Sequence, residues 1–356
     1  MDRKLVTIRV ISEIKPIENA DMIELAIVDG WQLVIKKGDF KIGDRALYLE
    51  VDSFLPIKPE FEFLRKTSYK KMGEEEGFRL KTLRMRGEIS QGLLLPLSVL
   101  GLNADDNEDL ASLLGIKLYE PPLSAQLSGI ALGLFPSFIQ KTDQERAQNL
   151  VGKLWGTGRT VTYTDGEGNE IVKEIPPAAK RKYEISEKMD GSSGTLYNYN
   201  GTFGVCSRNL DLKEDPENSF WGIAHKYNIK EKLAGYNVAI QGELCGEGIQ
   251  KNIYKLKGQE LYVFDIYDIE KRRYLNPEER TSFLSTVTPE LKTVPILERN
   301  FDLPGSIKEL LDYAQGPSKL YPKQEREGLV FKEEGESADR FSFKVISNSF
   351  LLKEKD

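Results

Sequence analysis

The chain has 356 residues, 40% hydrophobic and 30% charged, with 50 basic and 56 acidic side chains and a formal net charge of −6. This is the composition of an ordinary soluble globular protein, too long for one hydrophobic core, so two domains are expected. Cys206 and Cys245 are too few for a disulfide framework or a cysteine zinc site, and a lone His225 argues against histidine-centred metal or acid–base chemistry.

Residues 1–5 run into a strand pattern with no signal-like apolar core, and no stretch has the apolar length that a bilayer crossing needs. A cytoplasmic protein is expected, or a nuclear one in a eukaryotic host, with no membrane partner. Residues 4–10 alternate as a strand, and residues 23–28 and 31–35 flank Asp29-Gly30 as a hairpin. Turns at Lys37-Gly38-Asp39 and Ile42-Gly43-Asp44-Arg45 lead into a strand at 46–51, with a later strand pair around 78–83 and 92–96. Short strands joined by glycine turns predict a small, closed or nearly closed β-barrel of OB type. Residues 61–90 set Arg65, Lys66, Lys70, Lys71, Arg79, Lys81, Arg84 and Arg86 against five glutamates. Local clusters decide nucleic-acid binding more than net charge does, so this run is either a nucleic-acid surface or an ordinary charged one. An acidic helix start at 103–109, a glycine stop and Pro121-Pro122 end the first domain, giving expected domains of 1–118 and 119–356.

In the second domain Thr142 is expected to cap a short helix with Glu145 in the reciprocal position. A turn at 165–169 joins two β-like segments. The alternation of Tyr183, Ile185 and Glu187 then fixes the direction of Lys188, and Gly191 lets the chain turn tightly where a ligand approaches. By itself, Lys188-Met189-Asp190-Gly191 describes a solvated turn equally well. Residues 195–199 and 202–207 flank Asn200-Gly201 as a hairpin, Phe220, Ile223, Ala224 and Tyr227 mark one side of a helix, and residues 238–243 and 261–267 return to strands. The expected interior is mixed and largely antiparallel, and neither glycine-rich phosphate-loop pattern occurs.

After Lys188-Met189-Asp190-Gly191 come Ser207-Arg208-Asn209, Gly242-Glu243-Leu244, Tyr262-Val263-Phe264-Asp265-Ile266, Glu327-Gly328-Leu329-Val330 and Phe343-Lys344-Val345. In that order these segments resemble the motifs of the covalent nucleotidyltransferase superfamily, which contains RNA ligases, DNA ligases and mRNA capping enzymes. The chain is similar to the ATP-dependent RNA ligases that carry an OB-fold domain in front of the catalytic one. Residues 37–39 and 48–52 resemble that front barrel, and Lys141-Thr142-Asp143 with Arg146, Gln148 and Asn149 resembles a phrase ahead of the nucleophile strand. The implied fold class is α+β, an N-terminal OB-like β-barrel followed by a mixed, largely antiparallel nucleotidyltransferase domain.

The resemblance implies that Lys188 attacks the α-phosphorus of ATP, forming lysyl-AMP. AMP then passes to a 5′-phosphate RNA end, and a 3′-hydroxyl end displaces it. An isolated lysine has a pKa of about 10.4, so a divalent cation, positive neighbours and partial burial are expected to favour the neutral amine. Asp190, Glu243 and Glu327 are the implied ligands of Mg²⁺ or Mn²⁺, directly or through water, with Glu243 also near the ribose. Phe264 is implied to stack on adenine and Val330 to cover its other face; for Phe264 a core role in an alternating strand is the alternative. Glu187 and Arg208 complete the nucleotide site, while Lys332 and Lys344 neutralise the triphosphate. Arg146 faces the phosphates or makes a structural ion pair. The last motif of the family often has two lysines separated by one residue, whereas Lys344 here has Ser342 on one side and Ile346 on the other. The expected partner is a pair of RNA ends or a nicked duplex with an RNA 3′-hydroxyl strand, with a monomer expected and the oligomeric state open. A DNA ligase or capping-type enzyme is the alternative, disfavoured because only residues 345–356 follow Lys344; a noncatalytic RNA-binding homologue is disfavoured because Lys188, Glu243, Glu327 and Lys344 are all present.

Overall fold

Asp29 (φ 47°) and Gly30 (φ 82°) both take the left-handed backbone region that a two-residue hairpin turn needs, and Ile23–Val28 pairs with Trp31–Lys36 as the sequence predicts. The computed structural model describes residues 4–18, 20–100, 109–119, 129–164, 170–334 and 340–353. The chain divides into two units, residues 1–123 with 351–356, and residues 124–350.

In the first unit Arg45–Leu49 lies between Val6–Val10 and Leu93–Pro96, antiparallel to both. Residues 46–49 of it are buried on both faces. Alternation sends Ala46 and Tyr48 into a cluster with Trp31, Leu33 and Leu94, and Leu47 and Leu49 into another with Leu55, Phe61 and Phe78. The strands read near 78–83 and 92–96 do not pair with each other. Glu75–Arg79 lies between Ser53–Pro56 and Tyr69–Met72, and Thr82–Met85 makes its own hairpin with Glu88–Gln91. Arg86 and Gly87 (φ 53° and 86°) supply a second left-handed turn that the sequence reading passed over. Leu110–Leu114 is a helix, capped by Asp109 and ended by Gly115 (φ 73°). Residues 103–108 and Pro121-Pro122 lie outside the described residues.

The second unit has two main sheets. One runs Ala131–Leu134, Leu210–Leu212, Thr202–Ser207, Ser192–Tyr199, Val238–Gly246, Gln259–Asp268, Arg273–Tyr274, with Lys292–Thr293 pairing in parallel beside Gln259–Asp268. The other runs Ile296–Asp302, Lys182–Lys188, Gly328–Glu333, Ser342–Ile346. Its register sets Lys188 opposite Gly328, Ser186 opposite Val330 and Glu184 opposite Lys332, with Val330 also opposite Lys344. The other face carries Tyr183, Ile185, Leu329, Phe331, Phe343 and Val345, all fully buried. Phe331 and Phe343 stack there with centroids 4.9 Å apart. Each large apolar side chain contributes about 1.5–3 kcal/mol on burial, so a one-residue slip, which would turn Lys188 into this core, is strongly disfavoured.

Arg159–Thr164 pairs with Glu170–Ile175, and the expected turn at 165–169 lies outside the described residues. Thr142 is not a helix cap: its hydroxyl bonds Ser193 Oγ at 2.9 Å. Glu145 instead accepts from the Arg146 N–H (2.8 Å) and Asn149 Nδ2 (2.9 Å), holding the turn that leads to the helix Val151–Trp155. Among the described residues no helix is long and apolar enough to cross a membrane.

Candidate active site

Residues 189–191 carry the chain from the end of Lys182–Lys188 directly into Ser192–Tyr199, so one short connection joins a strand of one sheet to a strand of the other. Val238–Gly246 pairs with Ser192–Tyr199 and places Glu243 opposite Ser193. Glu327 immediately precedes Gly328, the residue opposite Lys188. The Lys188 ammonium meets Glu327 Oε1 at 2.7 Å. Gly191 is demanded by the neighbouring strand, since a Cβ there would fall 2.4 Å from the Leu244 carbonyl oxygen and 2.9 Å from Glu243 Cγ. The Asp190 N–H donates to the Tyr254 hydroxyl at 2.7 Å, anchoring the connection.

The charges around Lys188 act on one another. Burial pushes the Glu243 carboxyl up to about 7; Lys188 opposes this, while Glu327 and Asp190 add to it. Burial is also the largest single influence on Lys188 and favours its neutral form, but Glu327, Glu243 and Asp190 together outweigh it and raise the amine above its ordinary value. Burial thus acts on Lys188 in the expected direction, but in the free protein the carboxylates outweigh it. Lys344 behaves oppositely, brought down to about 8 by burial and then by Lys188 and Arg146. Its backbone N–H donates to the Glu145 carbonyl at 2.8 Å, which fastens the segment bearing Arg146 beside Ser342–Ile346. Arg208 Nη2 donates to Asp143 Oδ1 at 2.5 Å, and both side chains are exposed. One lysine is thus placed between a group of carboxylates and a group of cations.

Phe264 is half-buried between the buried Val263 and Asp265, packed against the cluster that contains Met189. Val330 shares the Lys188 face. Two expected nucleotide ligands are differently engaged. Glu187 alternates to the opposite face, 1% exposed, with Oε2 accepting the Lys319 N–H at 2.7 Å. Lys332 is 4% exposed and pairs with Asp265 Oδ2 at 3.0 Å. Burial lowers it to about 8 even beside that carboxylate.

Residues 181–346 match the family model described as RNA ligase, and residues 5–97 match one described as an OB-fold domain. A lysine-to-methionine mutant of Naegleria gruberi RNA ligase, with AMP and Mn, is 43% identical; the match covers 99% of this chain and 100% of that one at a TM-score of 0.79. The chain belongs to the RNA ligase family. Naegleria gruberi RNA ligase with PPi is 42% identical and a lysine-to-alanine mutant with ATP and Mn 41%, each match covering 99% of both chains, at TM-scores of 0.78 and 0.79. No curated protein matches. The RNA ligase fold class is thus the expected one, an OB-fold domain followed by a mixed, largely antiparallel domain.

Among the described residues of the ligase, no three acidic, histidine or cysteine side chains form a ready metal cage. Glu327 Oε2 is nonetheless buried with no hydrogen-bond partner among them, a spare acceptor beside the carboxylate that burial raises. Such a sparse set fits a hydrated hard cation that shares its coordination with phosphate oxygens. The sequence reading also missed Arg340, whose guanidinium grips Asp265 with two bonds of 2.8 Å, and the buried pair of Arg280 with Glu184 at 2.7 and 2.8 Å. An unusually charged strand position, Asp265 between apolar neighbours, was the available signal.

Proposed function

We infer that the chain is an ATP-dependent RNA ligase that forms lysyl-AMP on Lys188, transfers AMP to a 5′-phosphate RNA end and joins that end to a 3′-hydroxyl. The observation that carries the reading is Lys188 held 2.7 Å from Glu327, with Glu243 and Asp190 on its acidic side and Lys344 near enough to be lowered by its charge. Relatives bound to ATP, AMP, PPi and Mn support it. The Lys188 Nζ lone pair forms the N–P bond to the α-phosphorus, and the bonding pair of the breaking P–O bond leaves with pyrophosphate. The surrendered proton has Glu327 as its adjacent acceptor. Lys344, Arg146 and Arg208 balance the charge of the phosphates, and Phe264 and Val330 hold the two faces of adenine. Asp190, Glu243 and Glu327 would hold a hydrated Mg²⁺ or Mn²⁺, which when bound offsets phosphate charge and the carboxylate field that keeps Lys188 protonated. AMP next passes to the 5′-phosphate oxygen, making a 5′–5′ pyrophosphate link, and the 3′-hydroxyl displaces it. The substrate is a pair of RNA ends or a nicked duplex with an RNA 3′-hydroxyl strand.

Labelled ATP without RNA tests the first step. The intact protein is expected to take up AMP covalently and release it on adding pyrophosphate. Lys188→Ala is expected to lose the adduct and all sealing while the chain still folds. An acid-labile adduct persisting in that variant would move the nucleophile elsewhere. Nicks with RNA or DNA on either side then separate an RNA ligase from a DNA ligase.

A further inference from the structure

Phe264 occupies an irregularity in its strand. Gln241 pairs with Asp265 and Gly242 with Val263, so Phe264 is the extra residue of a β-bulge and has no partner in that ladder. Its carbonyl accepts a hydrogen bond from Lys332 Nζ at 2.5 Å, and the same ammonium lies 5.3 Å from the centroid of its ring. Asp265, the next residue, neutralises that ammonium at 3.0 Å. Arg340 takes both oxygens of the Asp265 carboxylate and lies 4.2 Å from the centroid of the Tyr274 ring. The Lys332, Asp265 and Arg340 side chains are 5%, 2% and 7% exposed, so no bulk water competes for these bonds.

We propose that Lys332, held by the Asp265–Arg340 pair, is a positioning residue: it fastens the bulged backbone and ring of Phe264 as the platform for adenine and does not neutralise the triphosphate. The inference rests on the assignment of Phe264 to the adenine face. A bulge places a side chain where a regular strand would not, but it leaves the backbone short of a partner and free to relax. A buried ammonium restores that partner at the carbonyl and adds an attraction to the ring. Its own charge is offset by a carboxylate that a second, permanently charged group keeps ionised.

The test is a double-mutant cycle on lysyl-AMP formation in the full chain, using Lys332→Met, Phe264→Leu and the double variant, with unfolding midpoints recorded for each. Methionine keeps the length of the stem, and Asp265 retains its two bonds to Arg340, so folding has the best chance of surviving. Lys332→Met is expected to raise the KM for ATP about tenfold while kcat changes less than about threefold, a split that a positioning loss of about 1.4 kcal/mol produces. The double variant is expected to be no worse than the poorer single one, because both remove the same platform. Chemically pre-adenylylated RNA presents the same adenine, so its KM is expected to rise in parallel while sealing at saturating RNA stays within about threefold of the intact protein. Additive losses would mean that Lys332 meets the nucleotide directly, and a fall in kcat at unchanged KM would mean that it acts on the reacting phosphates; either overturns the proposal. Equal losses in charging and in pre-adenylylated sealing at saturating substrate, following the unfolding midpoint, would reduce Lys332 to a structural residue and also overturn it. No effect of Phe264→Leu alone on KM would instead remove the adenine assignment, which keeps the two failures distinct.

Discussion

Glu243 shows how one residue ties chemistry to stability. An unfolded glutamate titrates near about 4.3, while burial and the carboxylates of Glu327 and Asp190 bring this one to about 7 in the folded chain. Between those values the folded state keeps a proton that the unfolded state has lost, so stability from this group falls as pH rises through the window and levels off above it. Glu243→Gln removes the ionisation. In the protein without ATP or metal the variant is therefore expected to gain about 2–4 °C in unfolding midpoint at pH 8 and clearly less at pH 5, while adduct formation falls. Melting curves at the two pH values check this, and an equal change at both would show that ionisation of Glu243 is not the cause. The same field raises Lys188, so the free protein holds the proposed nucleophile in its protonated form.

At the scale of elements, the strand Gly328–Glu333 fixes where Lys188 and Glu327 meet, and Gly328 is the position that permits it. A Cβ there would lie 2.1 Å from the Val345 carbonyl oxygen, a backbone atom that cannot swing aside. Gly328→Ala is expected to destabilise the second unit by about 1–3 kcal/mol and to slow adduct formation at least about tenfold at temperatures where it remains folded. Gly222, in the helix Ser219–Lys226, has no atom within 4 Å of its Cβ position. Gly222→Ala should leave charging unchanged and raise the midpoint, since alanine favours a helix by about 1 kcal/mol over glycine. Thermal melts and single-turnover charging of the pair distinguish close packing from a general intolerance of substitution. The alternation that aims Lys188 was legible in Tyr183, Ile185 and Glu187 because it depends on period two alone. The same alternation already sends the Glu187 side chain away from Lys188, which the motif reading overrode. The burial of Lys332 was not legible, because its partners Asp265 and Arg340 stand 67 residues before and 8 residues after it, and only pairing across sheets brings them together. Thr142 failed as a cap for a related reason, its hydroxyl being taken by Ser193 from a distant strand.

For the whole molecule the question is what the first unit contributes. Its basic run reads as one patch in the sequence, but several members are already engaged: Arg65 with Glu62 at 2.5 Å, Lys71 with Glu76 at 2.9 Å and Arg79 with Asp52 at 2.8 Å. Lys66, Lys70, Lys81, Arg84 and Arg86 are exposed and make no ion pair among the described residues. Arg84 and Arg86 lie on the hairpin of Thr82–Met85 with Glu88–Gln91, whose one carboxylate is Glu88. Every motif of the nucleotide chemistry falls after residue 123, so a protein lacking residues 1–123 is expected to charge Lys188 while sealing falls at least about tenfold. In the full chain, Arg84→Ala with Arg86→Ala is expected to leave charging unchanged and to reduce the slope of log binding against log salt by about 1.4, roughly 0.7 for each lost phosphate contact on a single strand. Rates of ATP to lysyl-AMP, and of preformed lysyl-AMP to sealed RNA, separate the outcomes. Equal losses in both steps would make the first unit a support for the catalytic fold. An unchanged salt slope would leave these arginines as ordinary solvated charge and move the RNA contact to the second unit, where Arg208 is the exposed cation beside the nucleophile's field.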